Sequence, residues 1–382
     1  MEMTVKTIRP SFRDTLRHAL RTANFWRRWL VLASDFSIML VVCASGQISE
    51  AWRRPLYDGF EANDFSASGG LYFKRNPEQD AGTIEFQNQV TYSGKGALKL
   101  TVRPSKEGAA QNSSERAEIW ERQELWVPYN EGIWYGFAVK FAEPIPQDDH
   151  RYVIAQWKRE IAGTKGDFSP FLALRLNRGK LFATVETNLV TATRVDPQPQ
   201  TAQCEDGETA VWLRPETNQT RALVATDARW MNDDGKRFSA CTREIVISRG
   251  NPLPTPGSGW IDFAVYSKPG PDGTGHIEIL ANDKWIATIR GRIGHSEKGL
   301  GQFQYFKFGP YRAVHDNTWT LYYDEFRRSP NRADVVKGRA EGERTALKMR
   351  NLTKTFDDRA DLRSVASMDA QQRDRQFGAR RL

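Results

Sequence analysis

The chain has 382 residues, 39% hydrophobic and 27% charged, a globular composition long enough for one large or two medium domains. No stretch reaches the roughly 20 apolar residues of a clean membrane span, which excludes a multi-span membrane protein. Three cysteines are too few for a disulfide-dense scaffold or a four-cysteine zinc site. The net charge of +8 does not point to nucleic acid: residues 1–30 and 329–382 each carry a net +5, while residues 51–328 hold 35 charges of each sign.

Residues 1–28 contain Arg9, Arg13, Arg17, Arg21, Arg27 and Arg28, and residues 29–44 then read WLVLASDFSIMLVVCA. A basic lead, an apolar run and the small-residue pattern of Val42 and Ala44 predict a signal peptide cleaved after Ala44. The long lead and Asp35 keep an uncleaved anchor open, Cys43 gives a weaker lipoprotein reading, and a cytosolic basic helix is the bland one. The first three place the body in the periplasm, outside the cell or on its surface. Cys204 and Cys241 are then an even pair that closes one disulfide in an oxidising compartment or stays as two thiols.

From residue 51 to 328 the dominant period is two, which predicts strands. Ala97 to Val102, Trp134 to Phe141, Phe171 to Leu176, Ile261 to Tyr266, Ile277 to Leu280 and Trp319 to Phe326 all alternate. Turn signals lie at Ser93 to Gly96, Asn177-Arg178-Gly179, Pro271-Asp272-Gly273 and Asn282-Asp283. The expected fold is all-β, a jelly-roll sandwich of two antiparallel sheets with a concave polar groove and non-globular ends. Residues 190–258 are rich in Pro, Thr, Asp and Gly and read as long loops or an insertion. Residues 329–382 read as a charged tail, partly helical or disordered.

Three further segments have one apolar side and one polar side. In Ser114 to Arg122 the polar side carries Arg116, Glu118, Trp120 and Arg122. In Val153 to Lys158 it carries Gln156 and Lys158 together with Ile154. In Tyr305 to Tyr311 it carries Tyr305, Lys307, Gly309 and Tyr311. Arg, Gln, Tyr and Trp on three strands fit a ligand groove better than an ordinary solvated face, which favours Lys, Glu and Thr.

These segments resemble the motifs of jelly-roll polysaccharide lyases of the heparinase-I-like and alginate-lyase-like families. Arg116-Ala-Glu118-Ile resembles their Arg-Ser-Glu-Leu strand, Ile154-Ala-Gln156-Trp-Lys158 their Gln-Ile-His strand, and Tyr305 to Tyr311 their Tyr-Phe-Lys-x-Gly-x-Tyr strand. Trp260-Ile-Asp-Phe and Ile277 to Lys284 resemble the strand pair preceding the last motif. The likeness spans residues 56–328, with the motifs in the family's order. It implies an exported lyase that cleaves a uronic-acid-containing acidic polysaccharide by β-elimination. Arg116 and Gln156 would neutralise the uronate carboxylate, Tyr311 would protonate the leaving oxygen, and Lys307 would hold substrate charge beside it. Glu118 would orient Arg116 or Arg122, Trp120 would stack on a sugar, and Arg175 would extend the anionic groove.

One position departs from the pattern: Lys158 stands where the family has histidine. A lysine acts as a base only when burial or nearby cations favour its neutral form. Otherwise Lys158 binds substrate and Tyr311 serves as both acid and base, with His150 and His315 as further sources of an imidazole. The chemistry needs no cofactor. Related jelly rolls often hold a structural calcium ion near the first and last strands, where Glu61 and Asp324 stand here. A non-catalytic jelly roll that binds acidic glycans is the rival reading; it would keep Arg116 and Gln156 and not need Tyr311. A retaining glycosidase needs two carboxylates about 5 Å apart, and the strand of Glu118 offers no such pair. Nucleic acid is not an expected partner, and a membrane is one only through an uncleaved amino-terminal segment.

Overall fold

In a computed structural model the described residues are 51–65, 72–77, 81–105, 114–163, 168–196 and 201–336. The expected signal or anchor at residues 1–50 and the tail beyond residue 336 lie outside them. The first strands are β1 (Leu56–Asp58), β2 (Tyr72–Pro77), β3 (Gly82–Gln87), β4 (Ala97–Val102), β5 (Ser114–Glu121), β6 (Val127–Pro128) and β7 (Ile133–Phe141). Next come β8 (Tyr152–Ile161), β9 (Leu172–Asn177), β10 (Lys180–Asn188), β11 (Arg194–Val195), β12 (Thr209–Arg214), β13 (Gln219–Thr226), β14 (Ala240–Thr242) and β15 (Ile245–Arg249). The last are β16 (Trp260–Lys268), β17 (Gly270–Ala281), β18 (Lys284–Ile293), β19 (Leu300–Ala313) and β20 (Trp319–Ser329).

These strands form the two antiparallel sheets of an open jelly-roll sandwich. One sheet runs β15-β18-β17-β16-β7-β20-β4-β3, with β1 on β20. The other runs β11-β14-β12-β13-β10-β9-β8-β19-β5-β2, with β6 on β19. The inward-facing residues of both sheets make the core. The Phe306 ring of β19 lies 4.9 Å from Tyr135 and 5.6 Å from Phe137 of β7, centre to centre. Trp157 of β8 lies 6.0 Å from Tyr135. All four are buried, and burying a ring of this size contributes about 2–3 kcal/mol.

Two expected turns are two-residue hairpins with both central residues at positive φ, the geometry that matches strand twist. Arg178 (48°) and Gly179 (68°) join β9 to β10, and Asn282 (49°) and Asp283 (59°) join β17 to β18. The turn expected at Pro271-Asp272-Gly273 is instead an irregularity inside β17, where pairing with β18 shifts between Gly270 and Gly275. Residues 190–258 are also not the loops expected: β11 to β14 extend one sheet and β15 edges the other. Nor does the body stop at residue 328. Ser329 ends β20, and Val335 and Val336 pack on Trp134, Ala264 and Leu280.

Cys204 and Cys241 form a disulfide with Cα atoms 5.6 Å apart, tying the loop before β12 to β14. A loop of this length gives about 4 kcal/mol from the restricted unfolded chain. The double variant Cys204→Ser/Cys241→Ser should therefore melt roughly 10 °C lower by calorimetry. An unchanged midpoint would show that the bridge adds nothing.

Candidate functional site

The three motif strands are neighbours in the order β8-β19-β5, with β9 beside β8. Across them Arg116 pairs with Tyr311, Tyr311 with Val153, and Val153 with Arg175. A second row joins Trp120, Lys307, Gln156 and Ala173. Alternation predicted Ile154 on this face, but Val153 takes the place. Pairing of β8 with β9 shifts between Val153 and Ala155, so Ile154 is an extra residue and the alternation changes phase. Gly309 permits the close contact of β19 with β5: its φ is +125°, and a Cβ there would meet the Ala117 carbonyl oxygen at 2.1 Å.

A cavity of about 310 Å³ opens on this face. Of the expected site residues, Arg116, Gln156, Lys158, Arg175, Lys307 and Tyr311 are brought together on its lining. Arg151, Arg214, Gln219 and Arg221 also line it and were not predicted. The lining thus carries seven Lys and Arg side chains and, among the described residues, no carboxylate. The guanidinium groups of Arg116 and Arg151 lie 4.4 and 4.9 Å from the centre of the Tyr311 ring, at cation–π distance.

Glu118 is buried and does not line the cavity. One carboxylate oxygen accepts the Gln156 side-chain amide, and the other lies 3.6 Å from Arg116 and 3.9 Å from Lys307. Glu118 thus ties together three residues that line the cavity. Trp120 is half-buried and also outside the lining, beside Lys307, whose ammonium lies 3.6 Å from its ring centre. Arg122 lies past the end of β5 and pairs with Glu124 at 3.7 Å, not with Glu118. An expected face-sharing set therefore separates into one cavity-lining residue, two supports and one surface arginine.

His150 and His315 also lie off the cavity lining. They flank the start of β8 and the end of β19, where Asp148 lies 3.2 Å from His150 Nδ1 and 3.5 Å from His315 Nε2. The backbone N–H of Asn317 donates to His315 Nδ1 at 3.1 Å. The Asp148 carboxyl is held below the usual carboxylate range: burial opposes this, but amide and tyrosine donors and His315 outweigh it.

A second buried carboxylate lies across the cavity. Glu186 of β10 takes Arg221 Nε at 2.8 Å, Arg175 at 3.3 Å and Arg214 at closer range. Burial alone would raise this carboxyl, but Arg221, Arg214 and Arg175 hold it below the usual carboxylate range.

The carboxylates proposed for calcium stand apart from this face. Asp324 accepts the amides of Tyr92 (2.7 Å), Ser93 (3.1 Å) and Glu325 (2.7 Å). Glu61 is exposed and accepts the Lys95 amide at 2.8 Å. Asp58, missed from the sequence, is buried with Oδ2 lacking a hydrogen-bond partner among the described residues. Burial, reinforced by neighbouring negative charge, pushes Asp58 and Asp324 each up to about 6.

A polysaccharide lyase family model matches residues 57–327. No curated protein matches the sequence. Among solved structures, an endo-β-1,4-glucuronan lyase from the fungus Trichoderma reesei is 18% identical, covering 74% of this chain and 98% of its own, with a TM-score of 0.49. An alginate lyase is 11% identical, covering 74% and 98%, with a TM-score of 0.35. A cellulose-induced protein is 13% identical, covering 72% and 97%, with a TM-score of 0.37.

Proposed function

Because the chain belongs to the polysaccharide lyase family, we propose that it cleaves a uronic-acid-containing polysaccharide by β-elimination, outside the cytoplasm. One observation carries this reading: Tyr311 opens into a cavity lined by seven basic side chains and, among the described residues, no acidic one. A polyanion suits that lining, and hydrolysis by paired carboxylates does not.

Elimination removes the proton on C5, turns its electron pair into a C4–C5 double bond and expels the glycosidic oxygen on C4, which gains a proton. The C5 proton is acidic enough only when the adjacent carboxylate is neutralised. Arg116 offers a bidentate fork for that carboxylate, with Gln156 and Lys307 beside it. In this reading the Tyr311 oxygen takes the C5 proton and delivers one proton to the leaving oxygen, so the residue ends the step in the state in which it began it. Lys158 lies on the far side of Gln156 from Tyr311 along β8 and binds substrate charge.

Export is supported by the Cys204–Cys241 disulfide, which persists in oxidising compartments, and by the basic-then-apolar amino-terminal pattern. A structural calcium ion would be held by Asp58 and Asp324, whose burial disfavours their charge. It would neutralise that charge, and take no part at Tyr311.

The test is absorbance near 235 nm on polyglucuronate, alginate and heparin-like polymers. A rise on one of them identifies the substrate through its unsaturated uronate. No rise on any acidic polymer, from folded protein with its disulfide formed, would overturn the reading.

A further inference from the structure

The cavity has more positive charge than one uronate needs, and the excess is organised. Glu118 gathers Arg116, Gln156 and Lys307 on β5, β8 and β19. Glu186 gathers Arg175, Arg214 and Arg221 on β9, β12 and β13. In the second group three guanidinium groups face one carboxylate, which leaves two positive charges uncompensated within it. Arg175 lies three strands from Arg116, roughly 14 Å at ordinary strand spacing, so the two guanidinium groups serve different parts of the cavity.

We propose that Arg175, Arg214 and Arg221, held by buried Glu186, form a second anion subsite that takes the carboxylate of a neighbouring uronate in the same polymer. This proposal rests on the lyase reading and narrows it: the preferred substrate carries contiguous uronates.

The side chains are prepared for such a ligand. Arg221 meets Glu186 through Nε, which turns its terminal nitrogens to other acceptors. The Arg214 Nε is buried without a hydrogen-bond partner among the described residues. Arg175 donates through Nε to Thr184 at 3.0 Å, which fixes the plane of its fork. Ser169 and Gln219 both line the cavity and both touch Arg214, so polar groups surround the arginines. Burial and then the charge of Arg221 push Arg175 down to about 9, the direction expected where cations crowd without enough anion. An incoming carboxylate relieves that repulsion.

The test uses the disulfide-bonded protein carrying Tyr311→Phe, so that ligands survive. Calorimetry measures binding of glucuronate di-, tri- and tetrasaccharides and of an oligosaccharide in which glucuronate alternates with a neutral sugar. Arg221→Gln should weaken the contiguous oligomers about tenfold or more and leave the alternating one within twofold. Arg221→Lys, which keeps charge but not the fork, should fall between. Equal weakening of both oligomers, or of neither, would overturn the subsite. Melting curves confirm that each variant is folded. Because binding is read without turnover, selective loss supports the subsite even if no polymer is cleaved, and cleavage without selectivity defeats the subsite while the lyase reading stands.

Discussion

Tyr311→Phe is expected to lower the rate of unsaturated-product formation by about 10³-fold or more, the range for losing a general acid with a share in the base step. The substitution removes one oxygen and keeps the ring, so the contacts of Arg116 and Arg151 with its face persist. The carboxylate-binding groups Arg116, Gln156 and Lys307 are untouched. Affinity for an oligouronate should therefore change by less than about threefold, because the lost interaction belongs to the transition state. A variant that retains a tenth of the rate would move the proton transfer elsewhere, with Lys158 the cavity-lining candidate. Loss of binding in step with rate would instead make Tyr311 a substrate contact.

Glu118→Gln is the second large effect, and it acts on stability and rate together. Glu118 is buried and is the common anion for Arg116 and the buried Lys307. Removing one partner of a buried charge set costs about 3–5 kcal/mol, because the remaining charge loses its compensation. The melting temperature should fall by roughly 10 °C. An oligouronate brings a carboxylate to the same cations, so it should raise the midpoint of Glu118→Gln by more than it raises that of the parent. A merely structural prop would show the same ligand shift in both proteins. The comparison of the two shifts is thus the decisive reading, and kcat should fall without a rise in KM as Arg116 and Gln156 lose their common anchor.

The half of the site that is legible in the sequence lies on regular strands. Arg116, Gln156, Lys307 and Tyr311 sit in segments with one apolar and one polar side, so the face of each followed from parity. The phase error at Ile154 arose because a bulge adds a residue without a sequence signal of its own. Arg214, Gln219 and Arg221 were missed because β12 and β13 are set among segments rich in Pro, Thr, Asp and Gly, which concealed them in an apparent loop. Alternation in Gln219 to Thr226 was the signal available. Glu118 was correctly tied to Arg116 but placed on the wetted side, since parity gives a face and not a depth. His150 and His315 show the opposite limit: proximity to a motif in sequence placed them near the strand ends, yet their side chains turn to Asp148.

The position of β19 between β8 and β5 has a consequence for how the molecule is made. This strand supplies both Lys307 and Tyr311 and joins two neighbours that precede it by well over a hundred residues. Until residue 313 has been synthesised, β5 and β8 present facing, unpaired edges of the kind that promotes aggregation. The site therefore closes late, by contacts distant in sequence, which slows folding. A nascent chain held by a chaperone through this interval would be protected, and a fragment ending before Leu300 would have neither the tyrosine nor the strand that brings the two edges together.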